Sequence, residues 1–78
     1  DQECAINTLK KVIYLEPGHL MGHFNLFTML KKIGEHKLAE IHRRNVSMLI
    51  KNLKDNDPVP GTEGMTAGNL RQITGIMK

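Results

Sequence analysis

The chain has 78 residues, 40% of them hydrophobic, with two Phe, one Tyr and no Trp. A chain of this length can hold one small domain, and its core must consist mainly of aliphatic side chains, which favours packed helices over a β-sandwich. The 11 Lys and Arg outnumber the 8 Asp and Glu, giving a net charge of +3, but they occur singly or in pairs, which argues against a nucleic-acid-binding surface.

Cysteine content and hydropathy bear on the environment of the protein. Cys4 is the only cysteine, so no internal disulfide can form, which is typical of a reducing, cytoplasmic setting. No apolar stretch approaches the ~20 residues needed to cross a membrane, and no signal region opens the sequence. We therefore expect a cytoplasmic protein without membrane insertion. Because Asp1 already lies in a helical pattern, we also expect a fragment of a longer protein.

The first predicted helix runs from Cys4 to Leu15. Its apolar residues recur at steps of three and four, which places them on one helical face. They are Ala5, Leu9, Val12 and Ile13. Pro17 and Gly18 end this helix, because proline cannot continue a helix interior and glycine favours a reversal of the chain.

The second predicted helix runs from about His19 to Ile33, and Gly34 ends it. Lysines in its last turn complement the helix dipole. Its buried side is predicted to carry Leu20, Phe24, Phe27, Leu30 and Ile33. The connection over residues 34–36 is so short that the next helix must pack antiparallel to this one.

The third predicted helix runs from about Lys37 to about Lys54. Its apolar positions follow a helical period and form one broad stripe. They are Leu38, Ala39, Ile41, Val46, Leu49, Ile50 and Leu53. The small side chain of Ala39 is expected to let two helix backbones approach closely.

The tail is predicted to contain a loop and a short helix. Residues 55–65 hold two prolines and two glycines and few apolar groups, which is typical of a loop. Thr66 is expected to cap a last helix, in which Gly68 and Gly75 each cost roughly 1 kcal/mol relative to Ala. Its predicted apolar face consists of Leu70, Ile73, Ile76 and Met77. We expect this helix to form only when it docks on the rest.

The spacing of several residues matches a helical repeat of 34 residues. Ala5 and Ala39 are one period apart, and Pro17 and Gly34 fall at the expected helix ends. Residues 1–54 therefore predict an all-α, antiparallel helical hairpin of the tetratricopeptide type, about one and a half repeats long. Residues 55–65 form the loop and residues 66–78 a capping helix of the same domain.

Two strings resemble one family within that repeat class. Residues 14–26, YLEPGHLMGHFNL, resemble the pattern YLDPDHxxAHFxLG of the segment attached to CheR-type chemotaxis-receptor methyltransferases. Residues 57–70, DPVPGTEGMTAGNL, resemble the closing pattern DxxVPGSEGLTAGRL of that segment, which generic repeats lack. Between them, similar places are taken by Lys32, Gly34, Ala39, Arg43 or Arg44, Asn45 and Leu49.

The resemblance implies a carboxy-terminal module of a bacterial protein that methylates receptor glutamates with S-adenosylmethionine. The methyltransferase domain is not part of this chain, so no catalytic or cofactor-binding residue is carried over, and no cofactor is expected. The sequence departs from the family at three places: Gly18 replaces an Asp, Gly22 an Ala, and Phe27 a Gly.

The first helix of such a repeat lines the concave surface that holds a partner. In this chain those positions are Met21, Phe24, Thr28, Lys31 and Lys32. An aromatic ring, a thioether and two ammonium groups suit an extended or helical segment with apolar and acidic residues. We therefore expect a non-catalytic protein-interaction module, its partner a receptor or signalling protein. The alternative for these residues is a solvated face at the edge of the core.

Two further functions are open from the sequence. The module can serve only to dimerise, by swapping helices with a second copy, or to brace a larger enzyme. His19 and His23 are four residues apart, the spacing of a metal-binding pair, and with Cys4 they suggest a metal site or a small hydrolase. No third ligand or orienting group is evident, so we expect His23 to pack in the core and His19 to be exposed.

Overall fold

The computed structural model describes residues 2–59, 62 and 64–75. It contains four helices, α1 (Gln2–Leu15), α2 (Leu20–Lys32), α3 (His36–Ile50) and α4 (Ala67–Thr74). The predicted all-α class is confirmed over these residues, where the β structure consists of one bridge between Pro58 and Thr66. Ile76 and Met77, predicted on the apolar face of the last helix, lie outside the described residues, as do Pro60, Gly61 and Glu63 of the predicted loop.

The helices pack in the order in which they follow one another. α2 contacts both α1 and α3, and α4 contacts α3. Gly34 adopts a positive φ of 88° at the end of α2, and its amide and that of Glu35 donate to the carbonyl oxygens of Lys31 and Leu30. This closure reverses the chain within three residues, so α2 and α3 form the hairpin that the sequence predicts.

Two hydrophobic clusters hold the helices together. The first joins α1, α2 and the start of α3, and its buried members are Ile6, Leu26, Phe27, Leu30 and Ala39. The second joins the end of α3 to the tail, and its buried members are Val46, Ile50, Val59, Ala67 and Leu70. Leu20 and Phe24 of α2 pack against the second cluster, so the tail is docked on α2 side chains as well as on α3.

The predicted apolar stripes are wider than the faces that the structure buries. Five positions of the predicted apolar faces have 41–53% of their surface exposed, namely Ile33, Leu38, Ile41, Leu49 and Ile73. The burial predicted for Ile33 was wrong, and the other four are apolar but largely uncovered, because one neighbouring helix covers only part of an apolar arc. Conversely, Ile6 and Leu26 are buried although they were not among the predicted core residues, whereas His23 is buried as expected.

The third helix ends at Ile50, about a turn earlier than predicted. After it, the amide of Leu53 donates to the carbonyl oxygen of Ile50 at 2.9 Å, which begins a turn. The Arg71 guanidinium on α4 donates through Nη2 to the carbonyl oxygens of Ile50 (2.9 Å) and Leu53 (2.6 Å), and through Nη1 to Asp55 Oδ1 (2.8 Å). Arg71 therefore acts as a distant cap for the end of α3, where a cation also complements the helix dipole.

The first residues of the predicted loop accept backbone hydrogen bonds from the start of α4. The amides of Ala67 and Gly68 donate to the carbonyl oxygens of Asp57 and Asp55 at 3.0 and 2.9 Å. Thr66 caps α4 as predicted, since its hydroxyl accepts from the Asn69 amide and the Asn69 side chain accepts from the Thr66 amide. The amino end of the short helix is thus held by backbone and capping hydrogen bonds as well as by buried side chains.

Gly68 has a structural role in spite of its low helix propensity. A Cβ atom at this position would lie 3.0 Å from both Cβ and the carbonyl oxygen of Asp55. Glycine therefore permits α4 to approach the loop backbone closely. Gly22 acts in the same way between helices, because a Cβ there would lie 2.8 Å from Cδ1 of Ile13.

Replacing Arg71 by Met retains an unbranched stem but removes every donor to the end of α3. We expect the free energy of unfolding to fall by about 1.5–3 kcal/mol, the usual contribution of hydrogen bonds to a charged group. Urea unfolding followed by circular dichroism measures this loss. Arg44→Met is the matched control, because the Arg44 side chain is 75% exposed, and it should change stability by less than about 0.5 kcal/mol. Equal effects of the two substitutions would contradict the capping role.

Candidate functional site

The five residues predicted to bind a partner share one face of α2. Positions 21, 24, 28, 31 and 32 are separated by three, four, three and one residues, so their side chains lie along one side of the helix. At 1.5 Å per residue the row is about 16 Å long. Thr28, Lys31 and Lys32 are exposed, whereas Met21 and Phe24 are half-buried.

Met21 opens onto a pocket between the turn that follows α1 and the end of α3. The volume of this pocket is about 550 Å³. Its walls are formed by Glu16, Gly18, His19, Leu20, Met21, Leu49, Asn52 and Leu53. Four of these side chains are aliphatic or thioether groups, so the pocket can take an apolar side chain of a partner.

Phe24 is held by the tail. Its ring packs against the second cluster, to which α4 contributes Ala67 and Leu70. The hydroxyl of Thr28 donates to the carbonyl oxygen of Phe24 at 3.0 Å, within the same helix. The middle of the predicted row is therefore a partly covered core edge, as the alternative interpretation of these residues expects.

Lys31 belongs to a second, more polar pocket. Its Nζ atom lies 5.6 Å from the centroid of the Phe27 ring, a cation–π distance. The pocket has a volume of about 230 Å³ and is formed by Phe27, Lys31, His36, Ala39, Glu40, Arg43 and Thr74. Met21 and Lys31 thus line different pockets, and the residues from α3 and α4 that complete these pockets were missed by reasoning on α2 alone.

An ion pair on α3 forms part of the second pocket. Nε of Arg43 donates to both carboxylate oxygens of Glu40, at 2.9 and 2.8 Å, and Nη2 lies 2.6 Å from Oε2. The hydrogen bond from Arg43 lowers the pKa of the Glu40 carboxyl and raises that of the Arg43 guanidinium. Because each charge is satisfied by the other, this pair leaves Lys31 as the cation available to an acidic partner group.

Two histidines form a hydrogen-bonded pair between α2 and α3. His23 is 3% exposed, and its Nε2 lies 2.7 Å from the carbonyl oxygen of Pro17, to which it must donate. Nδ1 of His23 is 3.0 Å from Nδ1 of His42, so in the neutral pair His42 donates and His23 accepts. The pair connects the turn after α1 to α3 through the buried ring of His23.

His19 has a different structural role from His23. Its Nδ1 accepts from the Gly22 amide at 2.9 Å and caps α2. His19 is half-buried rather than exposed, because the capping bond draws its ring onto the helix. Within the described residues, no group of three or more His, Cys, Asp and Glu is placed to hold a metal ion.

Burial and positive neighbours disfavour a proton on His42. Loss of solvent is the largest cause that lowers the pKa of His42, followed by repulsion from His23 and Lys10. The metal site that the sequence left open paired His23 with His19 instead, with His42 only a distant candidate for a further ligand. His23 and His42 are 19 positions apart and lie on two helices, so the spacing of neighbouring residues cannot predict their contact.

No family model, curated protein or solved structure matches this chain. The similarity to the CheR-type segment rests on the residue patterns alone. Among the described helices, none is long and apolar enough to cross a membrane. The assignment of a function therefore depends on the geometry given above.

Lowering the pH should destabilise the fold through His42. The pKa of His42 in the folded state lies below its ordinary value of 6.5, so the unfolded chain binds the proton first. Stability conferred by the neutral ring is complete above about pH 6.5 and is lost as the pH falls through the folded-state pKa.

Urea unfolding between about pH 8 and pH 5 measures this effect as the difference between wild type and His42→Asn. The Asn side-chain amide can still donate to His23 but does not titrate in this range, so the variant should lose less stability than wild type on acidification. His36→Asn, at an exposed histidine, should behave as wild type. An unchanged pH profile in His42→Asn would refute the role assigned to this ring.

Proposed function

We propose that this chain is a non-catalytic, tetratricopeptide-like module that binds another protein through the outer side of α2. The observation that carries the proposal is the pair of pockets reached from one helical face, an apolar one at Met21 and a polar one at Lys31. Helical hairpins that present such a face commonly hold a peptide or a helix of a partner.

The chemistry of the two pockets defines the ligand class. Leu20, Leu49 and Leu53 around Met21 suit an aliphatic or aromatic anchor. About two to three turns further along α2, Lys31 and Lys32 offer ammonium groups to a carboxylate. A partner segment with an apolar residue at one end and acidic residues at the other would satisfy both pockets.

We further propose that the parent protein is a chemotaxis-type receptor methyltransferase. The support comes from the tail, because residues 57–70, which resemble the closing pattern of the CheR-type segment, include the start of the capping helix α4. The Asp57 carbonyl accepts from α4, Thr66 caps it, and Gly68 permits its close approach. A tail whose residues have such specific positions is a structural element, and its sequence pattern is correspondingly distinctive.

Charge reversal on α2 tests the binding face. A photoreactive phenylalanine analogue placed at Thr28 should crosslink the chain to its partner in cells, since this exposed side chain lies between the two pockets. Lys31→Glu with Lys32→Glu should reduce the crosslinked product strongly, because the acidic end of the partner is then repelled.

The matched control is Lys10→Glu with Lys11→Glu, an equal charge change at neighbouring exposed lysines of α1. It should leave the crosslink intact, and circular dichroism should show equal helicity in all three proteins. Crosslinking that is unaffected by the α2 substitutions, or reduced equally by both pairs, would contradict binding at this face.

The family assignment has an independent test. We expect the coding sequence upstream of Asp1 to specify another repeat in the same 34-residue register, preceded by a methyltransferase domain. Sequencing the parent gene measures this directly. An unrelated neighbouring domain would refute the chemotaxis assignment and leave the interaction module as a separate question.

A further inference from the structure

α3 carries a second apolar row outside the face that packs in the core. Its buried residues, Ala39, Val46 and Ile50, define the face that packs in the core. On the opposite side Leu38, Ile41 and Met48 are 42%, 52% and 66% exposed. With the half-buried Asn45 they follow the 3-4-3 spacing of a coiled-coil seam. We call Leu38, Ile41, Asn45 and Met48 the outer row.

A line of cations borders the outer row. Lys37, Arg44 and Lys51 are exposed and seven residues apart, so they lie along one edge of α3 beside the apolar positions. We call these three residues the basic edge. The described part of the chain contains no ion pair between a carboxylate and Lys37 or Lys51. Arg44 lies 3.8 Å from Glu40, but that carboxylate is already bound by Arg43 at 2.6 Å.

The opposite border of the outer row is mixed in charge, because Glu3 and Glu35 line a pocket together with Lys10 and Leu38. His42 lies there, and Lys10 of α1 is near enough to disfavour its protonation. Leu49, the next residue along this border, is 41% exposed and leads into the apolar pocket at Met21. The outer row is therefore apolar in its centre, with three cations along one edge, of which Arg44 lies 3.8 Å from Glu40 and Lys51 lines a pocket with Asp55 and Asp57.

We propose that the outer row binds an acidic amphipathic helix of a partner protein. Apolar residues of that helix, repeated at three- and four-residue steps, would pack on Leu38, Ile41 and Met48, and its flanking Glu or Asp side chains would pair with the basic edge. From Lys37 to Lys51 the site extends for about 21 Å, or four helical turns. It is distinct from the α2 face and does not depend on binding there.

Charge also argues against a second copy of this chain as the occupant. Antiparallel pairing of two outer rows would bring the basic edges together, with Arg44 near Arg44 of the other copy. Parallel pairing would place Lys37 and Arg44 opposite His42 and Leu49, neither of which carries a carboxylate. An acidic helix provides the opposite charges that both arrangements lack.

The test uses the full 78-residue chain and a designed helical peptide of about three heptads, with Leu at its core positions and Glu at the flanking positions. Fluorescence anisotropy at pH about 7.5 should detect binding of this peptide, weakened by added salt. A matched peptide with Lys in place of Glu should not bind. Lys37→Glu, Arg44→Glu and Lys51→Glu combined should lower the affinity for the acidic peptide by at least about tenfold.

Three further variants locate the peptide on the protein. Ile41→Ser with Met48→Ser should also lower its affinity about tenfold or more, since both side chains would be buried by it. Lys11→Glu, at an exposed lysine of α1 outside both surfaces, should leave the affinity unchanged. Lys31→Glu with Lys32→Glu should lower the affinity less than the basic-edge substitutions do, which separates this site from the α2 face. If the triple charge reversal does not fold, as judged by circular dichroism, the three residues are replaced by Gln and an intermediate loss of affinity is expected.

Several results would overturn the proposal. These are the absence of binding by the acidic peptide, equal binding of the acidic and basic peptides, and an affinity that the basic-edge variants do not change. Light scattering adds another: a dimer of the chain that Met48→Glu converts to a monomer would identify a second copy as the occupant.

Discussion

The contact between Arg71 and the end of α3 determines how the rest of the domain is assembled. A single guanidinium, 12% exposed, holds two backbone carbonyl oxygens and the Asp55 carboxylate. These bonds stop α3 at Ile50 and turn the chain toward α4, which brings Leu70 onto the second cluster. A helix of eight residues has little stability alone. Its docking therefore relies on this distant cap together with the burial of Ala67 and Leu70.

The same docking divides the outer side of α2. Once the tail packs on Phe24, the row from Met21 to Lys32 retains an apolar pocket near one end and a polar pocket near the other. A longer open groove would need a partner that contacts the whole helix, whereas the partner that we propose would be selected by two anchors at a fixed distance. Under this proposal the stability of the fold and the selectivity of binding have a common origin, because Phe24, which packs on the second cluster, lies between the two pockets.

Much of the fold could be predicted because it depends on interactions between residues close in sequence. The features that could not be predicted depend on residues far apart in sequence. Pro17 and Gly34 mark helix ends by their backbone preferences and Thr66 by its side-chain hydroxyl, so those ends were found from sequence. Arg71 caps α3 from 21 residues beyond Ile50, and no spacing rule connects such a pair. For the candidate site, the face of α2 was predicted, but its separation into two pockets was not. Periodicity indicates which positions are apolar, but it does not specify which neighbouring element covers them.

The exposed side of α3 follows from this uneven coverage. α2 and the tail bury only the arc that contains Ala39, Val46 and Ile50, so a helix that is apolar over a wider arc must leave a second row in solvent. The capping of α3 by Arg71 also affects the charge of the basic edge. Lysine near a helix end commonly interacts with the last carbonyl oxygens, but Arg71 already binds those of Ile50 and Leu53. Lys51 is consequently not required there, and its charge adds to the basic edge, which we propose pairs with an acidic helix.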